Sequence, residues 1–266
     1  MKSEKFPDKS RTITLLKGWA EANPKEITTW YLSQPVAIQN KYRNQFLVGL
    51  SRKDPKKALE LMFQPDKPYD KNGSVLAIIN NAVDFFGVDG VEESFTSMRA
   101  RTDLKADAKG EFFAVLANKR LSLLKKTGDP ASQILNWFQT HAGQDYVRPE
   151  VSTQLLAEAA QANAPATFSC LELQSGRLAP DQTAGALYVA ASELQRQSPQ
   201  QLTEWLASHQ THPHRDQVIA GATNALVQAA DFSGALQMAN SIGNAKLRAE
   251  AIENLQRQSQ RKPSGH

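Results

Sequence analysis

The chain has 266 residues, with 31 Lys plus Arg, 27 Asp plus Glu and one cysteine, Cys170. Its 41% hydrophobic and 22% charged content are those of a globular protein and exclude a wholly disordered or collagen-like chain. A single cysteine excludes an internal disulfide and a multi-cysteine zinc centre, and no apolar run approaches the roughly 20 residues a bilayer span needs, so no membrane insertion is expected.

Residues 1–11 (MKSEKFPDKSR) are charged throughout and lack the apolar core of a secretory leader. The expected compartment is the cytoplasm, or the periplasm or exterior if a leader has been removed. Residues 1–11 and 259–266 read as flexible termini around a single helical-repeat domain over 12–258.

Fifteen helices are predicted in chain order. The first eight cover 12–22, 25–34, 40–52, 56–64, 74–86, 90–98, 108–126 and 131–140. The remaining seven cover 150–162, 166–174, 182–197, 200–209, 216–230, 233–240 and 245–258. Alternating apolar and polar stretches are absent and β-branched runs are few, so the fold class is all-α.

A polar residue followed by proline recurs at Asn23-Pro24, Asp54-Pro55, Asp129-Pro130 and Ser198-Pro199. Ala164-Pro165 after Asn163 is a near match, and Val88-Asp89 and Asp231-Phe232 fill the gaps without proline. With anchors at 24, 55, 88, 130, 165, 199 and 232, the spacings are 31, 33, 42, 35, 34 and 33 residues, a period that belongs to helix-pair repeats. A short polar side chain at the N-cap accepts from an orphan amide of the first turn, and proline fits the next position because its missing N–H would have been unpaired. Each anchor therefore marks a tight turn from a helix A to a helix B.

The flanks carry matching apolar stripes. Nine residues before the anchors stand Leu15, Phe46, Ile79, Leu121, Leu156, Ala190 and Thr223. Six to seven residues after them stand Trp30, Leu61, Phe95, Trp137, Leu171, Trp205 and Ala239. One stripe per helix facing its partner predicts about seven antiparallel helix pairs in a right-handed α-solenoid. A C-terminal capping helix follows, with Leu247, Ile252 and Leu255 inward and Arg248, Glu250, Glu253 and Arg257 outward.

The pattern Trp19-Ala20…Asn23-Pro24…Trp30, echoed in later repeats, resembles bacterial α-solenoids of degenerate helix-turn-helix repeats in the tetratricopeptide-like superhelical class. The resemblance spans about residues 12–258 and implies architecture. It departs from the tetratricopeptide consensus, in which proline lies near the end of helix B, so no peptide-binding residues carry over.

Residues 1–128 hold 22 Lys plus Arg against 15 Asp plus Glu, a net +7, while residues 129–266 hold 9 against 12, a net −3. Two basic clusters, Arg52, Lys53, Lys56 and Lys57 around the second turn and Lys119, Arg120, Lys125 and Lys126 before the fourth, are the candidate binding residues. Asp84, Asp89, Glu92 and Glu93 interrupt them, which favours a mixed-charge rim over a phosphate-tracking groove.

His209, His212 and His214 have metal-like spacing but fall in an inter-repeat turn, and no metal is assigned to them. Trp30, Trp137 and Trp205 share a repeat slot and read as packing residues rather than a ligand box. Cys170 lies on an apolar helix and reads as an inert core thiol. No catalytic or cofactor motif is found, so neither enzymatic activity nor a cofactor is expected. The leading expectation is a scaffold whose concave face takes a protein or peptide partner. The alternative is a helical-repeat protein that binds nucleic acid through its basic amino-terminal half.

Overall fold

A computed structural model describes residues 9–63, 74–174 and 176–260. Every regular element among them is helical: α1 (Lys9–Ala22), α2 (Pro24–Ser33), α3 (Val36–Ser51), α4 (Pro55–Met62), α5 (Ser74–Arg99), α6 (Ala106–Leu124) and α7 (Pro130–His141) come first. They are followed by α8 (Pro149–Ala162), α9 (Ala164–Gln174), α10 (Pro180–Gln197), α11 (Pro199–Ser208), α12 (Arg215–Gln228), α13 (Phe232–Asn240) and α14 (Ala245–Gln260). The all-α class expected from the sequence is therefore correct. Helix α1 begins at Lys9 and α14 ends at Gln260, so residues 9–11 and 259–260 are helical where flexible ends were expected. Residues 1–8 and 261–266, also expected to be flexible, and residue 64, the end of the helix predicted over 56–64, lie outside the described residues.

The anchors take one recurring shape. Asn23, Asp54 and Asp129 have φ/ψ of −139/73, −136/70 and −136/76, and each side chain accepts from the amide three residues on. These oxygens lie 3.4 Å from the Glu26 nitrogen, 3.0 Å from that of Lys57 and 3.2 Å from that of Ser132. The same residue also closes the preceding helix, for the Asn23 amide donates to the Trp19 carbonyl and the Asp54 amide to that of Leu50, both at 2.8 Å. Three residues, 52–54, lie between α3 and α4, with Arg52 the C-cap of α3, whereas at Asn23 a single residue serves as C-cap of one helix and N-cap of the next. Asn163 does the same with its side chain 3.1 Å from the Ala166 amide, which places this joint one residue earlier than the Ala164-Pro165 anchor. Ser198 has the backbone shape (φ/ψ −151/66) without a side-chain cap bond.

The third joint is built differently. Residues 74–99 form one hydrogen-bonded span, but Gly87 inside it has φ 74 and ψ 173, so the two predicted helices meet at a glycine rather than at a polar cap. Only glycine adopts that backbone region without a steric penalty. By length and composition this span is apolar enough to cross a membrane, contrary to the expectation of no such run. The break at Gly87 divides it, and Asp84, Asp89, Glu92 and Glu93 lie along it.

The chain divides into two compact units, residues 1–120 and 121–266. In the first unit α1 packs on α3 and α3 on α5, with α4 against both α3 and α5. Phe46 stacks on Tyr31 with ring centroids 4.0 Å apart, and Phe95 on Phe112 at 5.3 Å. Arg43, 3% exposed, donates Nη2 to the Leu61 and Met62 carbonyls at 2.7 and 2.9 Å. It therefore satisfies the carbonyls that end α4, and burial pulls its pKa down while the neighbouring Tyr31 phenol opposes that shift.

In the second unit α8 packs on α10, α10 on α12 and α12 on α14, while α9 packs against α8 and α10, α11 against α10, and α13 against α12 and α14. The core alternates accordingly: Ile219, Ala220 and Ile242 gather Tyr188, Leu206, Met238, Leu247 and Ala251, and Val227, Ala235 and Leu255 gather Leu226 and Phe232. The predicted stripe at nine residues before each anchor is buried at Phe46, Ile79, Leu121, Leu156, Ala190 and Thr223. Leu15 is the exception at 65% exposed.

Candidate functional site

The basic clusters are largely tied to acidic neighbours. Arg52 pairs with Glu21 and Lys57 with Glu60, both at 3.0 Å, and Lys125 pairs with Glu158 at 2.7 Å. Arg120 reaches two carboxylates, Asp89 at 2.7 Å and Glu92 at 2.6 Å. Among the described residues Lys53, Lys56, Lys119 and Lys126 make no ion pair. Half of the eight candidate cations therefore spend their charge inside their own unit. A row of free guanidinium and ammonium groups, which phosphate tracking needs, is replaced by alternating signs.

Two of the three histidines pack on an aromatic ring, and the third meets one of them. His209, the C-cap of α11, stacks on Trp205 with centroids 4.6 Å apart and planes 8° apart, and His212 meets the same indole edge-on at 5.1 Å. His214 N-caps α12 and donates its backbone amide to His212 Nδ1 at 3.2 Å. Glu172 of α9 accepts the Trp205 indole N–H and lies 3.7 Å from His209 Nε2. Burial, then the neighbouring His214 and His209, push the His212 pKa down, with Glu172 opposing. Among the described residues no group of three or more His, Cys, Asp or Glu side chains is arranged to hold a metal ion.

Trp137 and Trp205 are buried as packing residues should be. Trp30 is only half-buried and lies against Trp19 at 5.4 Å. With Leu15, Leu16, Ile38 and Tyr42 these two indoles line an apolar groove of about 280 Å³. Cys170 is buried and its Sγ accepts from Gln139 Nε2 at 3.3 Å.

A cavity between the stacked helices of the second unit was not anticipated. Tyr188 of α10, Asn224 of α12, and Glu250 and Asn254 of α14 line one cavity of about 210 Å³, with Leu247 and Ala251 as its apolar wall. Among the described residues the Tyr188 hydroxyl and the Asn224 and Asn254 carboxamides have no hydrogen-bond partner. Partial burial raises the Tyr188 pKa, so its phenol is a neutral donor at physiological pH. Glu250 is exposed and lies 4.0 Å from Lys246, itself 87% exposed, a contact too loose and wet to neutralise it.

The geometry that positions Tyr188 is a close backbone approach. Gly221 packs directly on the Tyr188 carbonyl, with no room for a Cβ between α12 and α10. The signal that could have found the site is register. Tyr188 and Gly221 are 33 residues apart, one repeat period. Asn224 stands one helical turn beyond Gly221, and Asn254 another 30 residues on. No protein-family profile, curated protein or solved structure matches the chain.

Proposed function

We propose that the chain is a non-enzymatic scaffold, a tetratricopeptide-like right-handed solenoid of about seven helix pairs over residues 12–258, capped by α14, that takes a protein or peptide partner. The observation that carries this reading is the next-but-one packing of α8, α10, α12 and α14, with single-residue turns from α8 to α9 and from α10 to α11. Helices packed this way offer successive repeats' side chains on one continuous face, which is how helical-repeat proteins build binding surfaces. On that face the unpartnered polar groups of Tyr188, Asn224 and Asn254 are available to a ligand. A chain that acts in this way needs no cofactor and no insertion into a membrane, and we place it in the cytoplasm, or outside it if a leader has been removed.

The nucleic-acid alternative draws less support, because Arg52, Lys57, Arg120 and Lys125 are already engaged by carboxylates. One pair of experiments separates the readings. Selection of a random phage-displayed peptide library on the full chain at physiological salt is expected to enrich related sequences. Fluorescence anisotropy with single-stranded DNA and RNA at low salt is expected to show no saturable binding. Failure of the library together with salt-sensitive nucleic-acid binding would reverse the assignment.

A further inference from the structure

We propose that the cavity between α10, α12 and α14 is a subsite for one Lys or Arg side chain of an extended peptide, with Glu250 as its anionic partner and Asn224, Asn254 and Tyr188 as its hydrogen-bonding frame. The inference rests on the scaffold reading and adds a ligand class to it.

The chemistry follows from what each group offers. A carboxamide presents a donor and an acceptor in one plane, the pairing that the N–H and C=O of an extended backbone require. Asn224 and Asn254 stand on neighbouring helices and face one cavity, so the pair spans two points of a chain laid across the stack. Tyr188 adds an O–H donor from the third helix. Three half-buried polar side chains from three helices lack an internal partner here, so their hydrogen-bonding groups are open to a ligand.

The cavity's volume of about 210 Å³ suits a single long side chain rather than a folded domain or a large cofactor. Leu247 and Ala251 provide apolar contact for a methylene stem, while Glu250 provides the charge at its end. Complementarity of charge therefore selects a basic residue. An acidic side chain would meet Glu250 with the same sign and an unpaired carboxylate.

The test is an NMR titration of the ¹⁵N-labelled full chain with acetyl-Ala-Ala-Arg-Ala-Ala-amide and with its citrulline counterpart, which keeps the shape and loses the charge. The arginine peptide is expected to shift amides at 188, 220–224 and 247–254, and binding is expected to weaken at least tenfold for the citrulline peptide and for the Glu250→Gln chain. Glu250 is exposed, so this variant keeps its fold. Absence of shifts at these residues with millimolar peptide, or equal binding of the two peptides, would overturn the subsite. Library-selected peptides that bind while perturbing other residues would overturn the subsite and leave the scaffold reading standing. If neither the library nor the arginine peptide binds, both fall.

Discussion

Gly221 and the carbonyl of Tyr188 meet with no room for a side chain between them, so α12 and α10 are in backbone contact at the centre of the second unit's stack. Replacing Gly221 by alanine is expected to force the two helices apart. The expected cost is about 2–3 kcal/mol, the upper part of the range for overpacking a rigid site. Urea denaturation followed by circular dichroism should show a lower midpoint for Gly221→Ala. An unchanged midpoint would mean that the contact relaxes without loss.

Capping predicts a graded series. Asp54→Ala removes the bond to the Lys57 amide and should cost about 1 kcal/mol. Ser198 has the same backbone shape and no side-chain cap bond, so Ser198→Asn should add stability, by about 0.5 kcal/mol, through the bond that Ser198 does not make. At Asp129 the sign with pH is also set. Hydrogen bonds from Ser132 hold its pKa below the usual carboxylate value, so its contribution is present at neutral pH and lost as pH falls through the folded-state pKa. Thermal melts of wild type and Asp129→Ala should converge in acid.

Helix α12 ends with the Asp231 amide bonded to the Leu226 carbonyl and the Ala230 amide bonded to that of Val227. This is the Schellman arrangement, and Ala230 occupies its left-handed position at φ 59. Glycine avoids a strain of roughly 1–2 kcal/mol there and returns part of it as unfolded-state entropy. Ala230→Gly is therefore expected to stabilise the chain by about 0.5 kcal/mol, read as a raised denaturation midpoint.

Arg43 offers a sharper test of buried polarity. Arg43→Ala leaves the Leu61 and Met62 carbonyls without their side-chain donor and should cost about 3 kcal/mol or more. Arg43→Lys keeps the charge but not the planar fork, and rescue should be partial. Full rescue by lysine would show that charge alone is what α4 needs.

The histidine cluster predicts a loss of stability in mild acid. His212 Nδ1 accepts the His214 amide, so protonating it breaks that bond while adding charge beside His209 and His214. With the folded pKa below the usual 6.5, the unfolded chain takes up the proton first. Stability is then full above about pH 6.5 and falls as pH drops through the folded value. Denaturation midpoints measured between neutral and mildly acidic pH should decline less for His212→Asn than for wild type. Identical declines would assign the effect to other groups.

Much of this architecture was legible in the sequence because its determinants are local. Capping at Asn23, Asp54 and Asp129 depends on a side chain and an amide three residues away, and a short motif reports it directly. Gly87 was less visible, since a glycine within an apolar stretch does not announce whether it bends the chain. The pairing of Arg120 with Asp89 and Glu92 joins residues about a repeat apart. Charge counting along the chain could not cancel them, and the basic clusters looked freer than they are. The Tyr188, Asn224 and Asn254 frame was missed because these polar side chains come together only when α10, α12 and α14 stack, with Thr223 and Leu247 of the apolar stripes lining the same cavity.

The one-residue joints at Asn23, Asn163 and Ser198 have a consequence for how such a chain can change in length. An insertion there would swing the following helix by about 100°, the rotation per residue of an α-helix, and carry its apolar stripe out of the core. The connections from each helix B to the next helix A, such as those over 100–105, 142–148 and 209–214, carry no such constraint. Growth and trimming of the chain are thus channelled away from these one-residue joints.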